Sequence, residues 1–262
     1  MKTVTAILFL IVIISLPLFS QGEIDDEEKI FYRNEKTYAF TLNSNGYGFN
    51  FRYARRADAF KKTVYEAGLN VVKHEKEIKI SLSNSQQLGN SFVYGKLNSF
   101  VTLHCGIGLQ KELFRKEDKG GISIRYFYAF GPSIGFTKPV YYIVLTDTNG
   151  DGFYEEHTQK FETHILNIER KAPFYKGFKE ISLIPGVYGK IGFTFEFSKS
   201  DAAFNAIEAG VVMDAFIKKI PIMANDQNHW IFPAFFVSYR FGKIVDAQFK
   251  TRRNKIDEVL TQ

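Results

Sequence analysis

The chain has 262 residues, ample for one domain after removal of a leader. Its 34 Lys and Arg against 28 Asp and Glu leave a modest net charge of +6, spread through turns and tail, with no basic stripe interleaved with aromatics to suit nucleic acid. Cys105 is the single cysteine, which excludes an intrachain disulfide and a thiolate metal site, while 27 Phe and 14 Tyr make the chain unusually aromatic.

Residues 1–20 read as a signal peptide, with Lys2 in the charged region, an apolar run from Ala6 to Ser15, Pro17 breaking it, and cleavage near Ser20 or Gln21. The alternative is a membrane anchor, but Val4 to Phe19 falls short of the roughly 20 apolar residues a spanning helix needs. No cysteine follows the cleavage region, which argues against a lipid-modified N-terminus. Residues 21–35 form an N-terminal segment. No apolar helix of spanning length comes later, so a mature chain in a membrane has to cross it with strands.

Tyr38, Phe40 and Leu42 share one parity, and Tyr47, Phe49, Phe51 and Tyr53 share the other. Asn45-Gly46 between them suits a two-residue type I′ turn, which would pair Leu42 with Phe49, Phe40 with Phe51 and Tyr38 with Tyr53. A β-bulge inside one long strand shifts parity as well and remains the alternative. A third strand runs from Phe60 to Lys73, and a polar connection, Glu75 to Leu97, follows. The fourth strand, Ser99 to Arg115, alternates most cleanly: Val101, Leu103, Cys105, Ile107 and Leu109 against Thr102, His104, Gly106, Gly108 and Gln110. Cys105 falls on the apolar parity and reads as a small hydrophobe.

A turn at Glu117 to Gly120 leads to the fifth strand, Ile122 to Thr137, where Pro132 cannot donate to a ladder and is expected to mark a bulge or bend. After an insertion at Asp147 to Ile184 come strands around Val187 to Phe197, Ile207 to Lys218 and Trp230 to Gly242, with a short turn at Ser198 to Ala202. Eight strands predict an all-β fold: an antiparallel, up-and-down transmembrane β-barrel over residues 36–243. Its long extracellular loops are expected at 75–97 and 147–184, its short turns on the periplasmic side, and residues 244–262 as a periplasmic tail carrying Lys250, Arg252, Arg253 and Lys255.

Alternation does not say which face meets lipid. The alternative is a soluble periplasmic barrel, apolar inside and polar outside. Two features favour lipid. The polar face is rich in Gly, Ala and Ser, which a narrow lumen needs and a solvated face does not, and the apolar face is dominated by aromatics, as interfacial girdles are.

The signal segment, the dyad strands and the last strand Phe235-Phe236-Val237-Ser238-Tyr239-Arg240-Phe241 together resemble the small eight-stranded outer-membrane barrels of Gram-negative bacteria, including barrel proteins common in Bacteroidota. The resemblance covers about residues 36–243. It implies an outer-membrane location, contact with outer-membrane lipid, and a final strand similar to the signal read by the barrel-assembly machinery. The segment from Gly242 to Gln262 departs from that pattern, because it follows the terminal Phe241.

The lumen parity carries Arg52, Glu66, His104, Glu112, Arg125, Lys190, Glu196, Glu208, Asp214, Lys218 and Arg240. Opposite charges in an eight-strand interior should pair and fill it, since an isolated buried charge is very costly. The functional alternative is a narrow solute path. His104 invites comparison with a hydrolase, but Ser99 lies on the opposite parity, and Ser123 and Ser133 face a lumen rather than a lipid substrate. Asp147, Asn149 and Asp151 with Gly152 match the first half of a calcium loop, and Glu155 stands at position 9, but Thr158 occupies position 12 where an acid is needed. The plain reading there is an Asn-Gly and Asp-Gly turn. His157 and His164 are weak metal candidates, and Phe174 to Phe178 either contact a partner or cover the barrel mouth.

The sequence therefore predicts an outer-membrane barrel, monomeric or weakly associated, without cofactor or catalytic residues. Its expected role is structural, anchoring or loop-mediated, with an unknown extracellular or periplasmic protein as a further partner. A narrow channel, a lipid-modifying enzyme and a soluble periplasmic binding barrel are the alternatives.

Overall fold

The computed structural model describes residues 33–58, 60–81, 91–116, 121–146, 155–161, 168–199, 203–224 and 228–246. In chain order the first strands are β1 (Arg33–Asn43), β2 (Gly46–Arg56), β3 (Lys61–Val72), β4 (Lys79–Ser81), β5 (Ser91–Val93), β6 (Asn98–Phe114) and β7 (Ser123–Pro139). Then follow β8 (Tyr141–Thr146), β9 (Glu155–Lys160), β10 (Ile168–Lys171), β11 (Ser182–Glu196), β12 (Ala203–Phe216) and β13 (Ile231–Asp246). Eight of these close an antiparallel barrel in the order β1-β13-β12-β11-β7-β6-β3-β2, each pairing with its neighbours in sequence. The expected signal peptide at 1–20, the expected turn at Glu117 to Gly120, Asp147 to Gly152, His164 and the residues beyond Asp246 lie outside the described residues.

The dyad pattern sorts side chains as the pleat requires. Large apolar groups point outward: Phe40 is 62% exposed, Leu42 70%, Val187 62% and Phe235 75%. Charged groups of the opposite parity point inward, with Arg52 and Arg240 at 1% and Glu208 at 0%.

Three expectations are corrected. The first turn is Ser44–Asn45 rather than Asn45–Gly46, so Leu42 pairs with Tyr47, Phe40 with Phe49 and Tyr38 with Phe51. Moving a two-residue turn by one position moves every partner by two, so the faces survive the change. Gly46 belongs to β2, where it serves close approach: an added Cβ would stand 1.9 Å from the Val71 carbonyl oxygen. Pro132 makes no bulge, since His104↔Ser133 and Ile107↔Phe130 keep one register across it; the shift lies between Glu112 and Phe114 instead. The barrel also reaches past 36–243, because Arg33 at one end of β1 pairs with Asp246 at the end of β13. Closure extends both terminal strands.

The connections divide into two ends. Short ones after β2, β6 and β11 lie at one end; the long ones after β3, β7 and β12 lie at the other, together with the two-residue turn after β1. Structure appears where the sequence suggested only loop. β4 pairs with β5, and β8 sits between β10 and β9 in a three-stranded sheet. A core of Phe92, Val140, Tyr142, Val144, Phe161 and Ile168 joins them. The third long connection folds inward over the mouth: Ile220 and Ile222, both 0% exposed, pack with Phe100, Phe216 and Phe232. Asn228 holds that fold by accepting from the backbone N–H groups of Ile222 (2.9 Å) and Met223 (3.2 Å).

Candidate functional site in the barrel interior

The interior contains two groups of ion pairs, one central and one at the short-turn end. In the central layer, β2 supplies Arg52, β3 Glu66, β12 Glu208 and β13 Arg240. Arg52 donates to Glu66 Oε2 through Nη2 at 3.0 Å and to Glu208 Oε1 through Nη1 at 2.6 Å. Arg240 Nε lies 2.9 Å from the same Glu208 oxygen, and its two remaining nitrogens donate to Thr37 Oγ1 (3.1 Å) and Asn50 Oδ1 (2.8 Å). Thr194 donates to Glu208 and Tyr188 to Glu66, at 2.9 and 3.0 Å. Each carboxylate is thus held by charge and by hydroxyl donors, the condition under which buried ion pairs are tolerated.

Aromatic faces complete this layer. The Arg52 guanidinium lies 4.1 Å from the Phe127 ring centroid, and Lys190 Nζ lies 4.4 Å from that of Phe236. Phe127, Tyr188, Val212, Ala234 and Phe236 form one internal cluster. These rings depart from the expectation that aromatics face outward. Parity was the available signal, because Phe127 shares it with Arg125, and Tyr188 with Lys190.

The second layer sits at the short-turn end. Arg125 donates to Glu35 at 2.9 Å and also to Glu196; Lys62 donates to Glu35, and Lys116 to Glu196 at 3.2 Å. Glu35, Lys62 and Lys116 add to the expected lumen charges, Glu35 because β1 starts before the expected barrel boundary at residue 36. Glu112 is half-buried at this rim, where it accepts from Ser123 at 3.3 Å and lies 3.4 Å from Arg115. A shallow opening borders it, lined in part by Lys61, Lys62 and Gln110. Lys218 does not join either layer: it lies past the end of β12 with its side chain exposed, because the chain has left the barrel by that point.

His104 packs against Tyr188 with ring centroids 4.4 Å apart and the planes tilted by 33°, and its Nδ1 has no hydrogen-bond partner. Two glycines make that packing possible. A Cβ on Gly68 would stand 2.4 Å from His104 Nε2, and one on Gly106 would stand 2.3 Å from the Tyr188 hydroxyl. Ser133 is the cross-strand partner of His104 and donates to Asp214 at 3.0 Å. The three residue types of a hydrolytic triad thus lie near one another, but a triad needs serine bonded to histidine and histidine to the acid. Here serine bonds the acid directly, and all three side chains are buried in the lumen. Ser99 and Ser123 are not brought to His104: Ser123 belongs to the rim layer, donating to Glu112.

Of the calcium candidates, Asp147, Asn149 and Asp151 lie outside the described residues. Glu155 is exposed on β9, 3.6 Å from His157, and Glu156 pairs with Arg170 at 2.9 Å. Among the described residues no three His, Cys, Asp or Glu side chains gather as a metal site. In the outer sheet, burial pushes the Tyr142 hydroxyl up to about 12, and that hydroxyl sits 2.7 Å from the carbonyl of Val93 and 2.9 Å from that of Lys96.

No protein-family model and no curated protein matches the chain. Among solved structures it is similar to Neisserial surface protein A, at 7% identity and a TM-score of 0.37 over 82% of this chain and 96% of that one. It is also similar to Ail, the attachment invasion locus protein of Yersinia pestis, at 8% identity and a TM-score of 0.36 over 81% and 97% of the two chains. The N-terminal β-barrel domain of Pseudomonas aeruginosa OprF gives 6% identity and a TM-score of 0.33 over 82% and 98%.

Proposed function

We propose that the chain is an integral outer-membrane β-barrel that works as a closed scaffold, anchoring and presenting the folded connections at one end. The observation that carries this reading is the distribution of side chains. An outward surface of exposed Phe, Leu, Val and Tyr surrounds an interior of arginine and glutamate, the reverse of a water-soluble barrel. The soluble alternative needs the apolar parity inside, where the structure has Arg52, Glu208 and Arg240. A filled interior favours anchoring over transport. The central ion-pair layer crosses the lumen, and above it the apolar cap of Phe100, Phe216, Ile220 and Ile222 fills the mouth. Outer-membrane lipid would cover the apolar band, and Phe235, Val237, Tyr239 and Phe241 on the last strand's outer face would meet the assembly machinery.

The test is heat-modifiability on unboiled gels of fractionated native-host membranes, followed by planar-bilayer recording. A compact, faster-migrating band in the outer-membrane fraction with no unit conductance is expected. Release into the soluble periplasm would overturn the membrane reading, and discrete conductance steps would replace the scaffold by a narrow channel.

A further inference from the structure

The outward row of β7 runs through Tyr128, Phe130, Ile134 and Phe136 to Lys138, and the first three are 39%, 61% and 41% exposed. Lys138 continues that row yet is only 8% exposed. Residues 173–180 fold back over it. Lys138 Nζ donates to the carbonyl oxygens of Phe174 (2.9 Å) and Lys176 (3.3 Å), and lies 4.4 and 5.2 Å from the Phe174 and Phe178 ring centroids. The two rings pack edge to face at 5.2 Å. Gly177 adopts φ 90°, and a Cβ there would stand 2.7 Å from the Pro139 carbonyl oxygen, so the segment lies tight against the end of β7. A segment clamped by an outward-facing lysine rests on the outer wall of the barrel and not over its mouth.

The free side of this segment has a distinct composition. Phe174 is 67% and Tyr175 70% exposed, with exposed Lys176 and Lys179 beside them. Directly after it, β11 opens with Leu183 at 62% exposure in the apolar band. Aromatic rings at the edge of an apolar band suit a membrane interface, and lysines there extend their heads to anionic phosphates.

We propose that residues 173–179 form a foot seated at the boundary of an anionic lipid surface, with Phe174 and Tyr175 entering the acyl edge and Lys176 and Lys179 binding headgroup phosphates. The inference rests on the membrane reading above and adds a lipid-recognition element to it. The test uses the full chain, folded into phosphatidylcholine vesicles with and without phosphorylated lipid A, in a Trp230→Phe background. One reporter is Tyr175→Trp, and a second is Phe193→Trp, on the outward face of β11 and 50% exposed. Each variant is first checked for a heat-modifiable band.

Brominated phosphatidylcholine is expected to quench both reporters. Lipid A should shift the Tyr175→Trp emission further to the blue, and a Lys176→Gln, Lys179→Gln double variant should lose that shift while the Phe193→Trp signal stays unchanged. An unquenched Tyr175→Trp beside a quenched Phe193→Trp overturns the foot and leaves the barrel in the membrane. If both are unquenched, the membrane reading itself fails. Quenching without any response to lipid A removes the phosphate-binding role.

Discussion

Glu208 receives more partners than any single pairwise contact would suggest: Arg52 and Arg240 on one oxygen, with Thr194 added at 2.9 Å. Its worth follows from where it sits. A buried ion pair contributes little net stability against an apolar replacement, but removing one member strands the other in low dielectric. Glu208→Gln keeps the shape and removes the charge, so it should cost about 3–5 kcal/mol in urea unfolding from vesicles. Arg170→Ala breaks an exposed pair with Glu156 and should cost only about 0–1 kcal/mol in the same assay. Equal effects would mean that water reaches the central layer. The charged members of this layer were legible from parity alone, because a strand must send alternate residues inward. The partners contributed by hydroxyls and rings were not. Tyr188 is chosen to bond Glu66 by a contact that closes only when β3 and β11 face each other across the lumen, and spacing along one strand holds no trace of that.

Elements divide by how local their signal is. Each barrel strand announces itself through its own dyad repeat, so all eight are legible, but their ends are not: pairing extends β1 to Arg33, β13 to Asp246 and β11 back to Ser182, inside the expected loop 147–184, while β12 stops at Phe216, short of Lys218. The outer sheet was not legible. Its strands are short, and β9, Glu155–Lys160, carries no apolar alternation; it exists because β8 gives it a partner. Two predictions belong here. Tyr142 links β8 to the connection after β3 through the Val93 and Lys96 carbonyls, so Tyr142→Phe should destabilise the outer sheet by about 1–3 kcal/mol. Faster amide exchange in β8 and β10, with the heat-modifiable band retained, is the expected result; unchanged exchange would show the hydroxyl to be dispensable. The second concerns acid. Hydrogen bonds from Lys160 and Tyr141 hold the Glu180 carboxyl below its ordinary range. A depressed folded value contributes stability above the unfolded carboxylate value and loses it as pH falls through the folded one. Amides of residues 176–180 should therefore exchange faster on acidification below the usual glutamate range, after correction for intrinsic rates, and Glu180→Gln should abolish that dependence.

For the molecule as a whole, the decisive quantity is what surrounds the barrel. The same backbone and register serve a soluble protein or a membrane one, and the side chains choose between them by which parity is turned out. Val211 is diagnostic because it lies on the outward face of β12 near the middle of the strand, flanked across the sheet by Ile191 and Phe235. Its 39% exposure is an exposure to whatever medium covers the wall. If that medium is hydrocarbon, Val211→Arg has to bring a guanidinium to the bilayer centre and should cost roughly 2–4 kcal/mol in unfolding from vesicles. If the medium is water, an exposed Val→Arg change should fall within about 0.5 kcal/mol of zero. A matched substitution sharpens the comparison: Phe197→Arg, just past the short-turn end of β11 and 40% exposed, should cost much less, because depth in the bilayer sets the penalty. A steep difference between the two positions requires a gradient of polarity along the barrel axis, which a lipid bilayer supplies and bulk water does not. Two small and equal costs would turn the faces over to solvent, and the exposed aromatics would then have to be explained as a protein-binding surface.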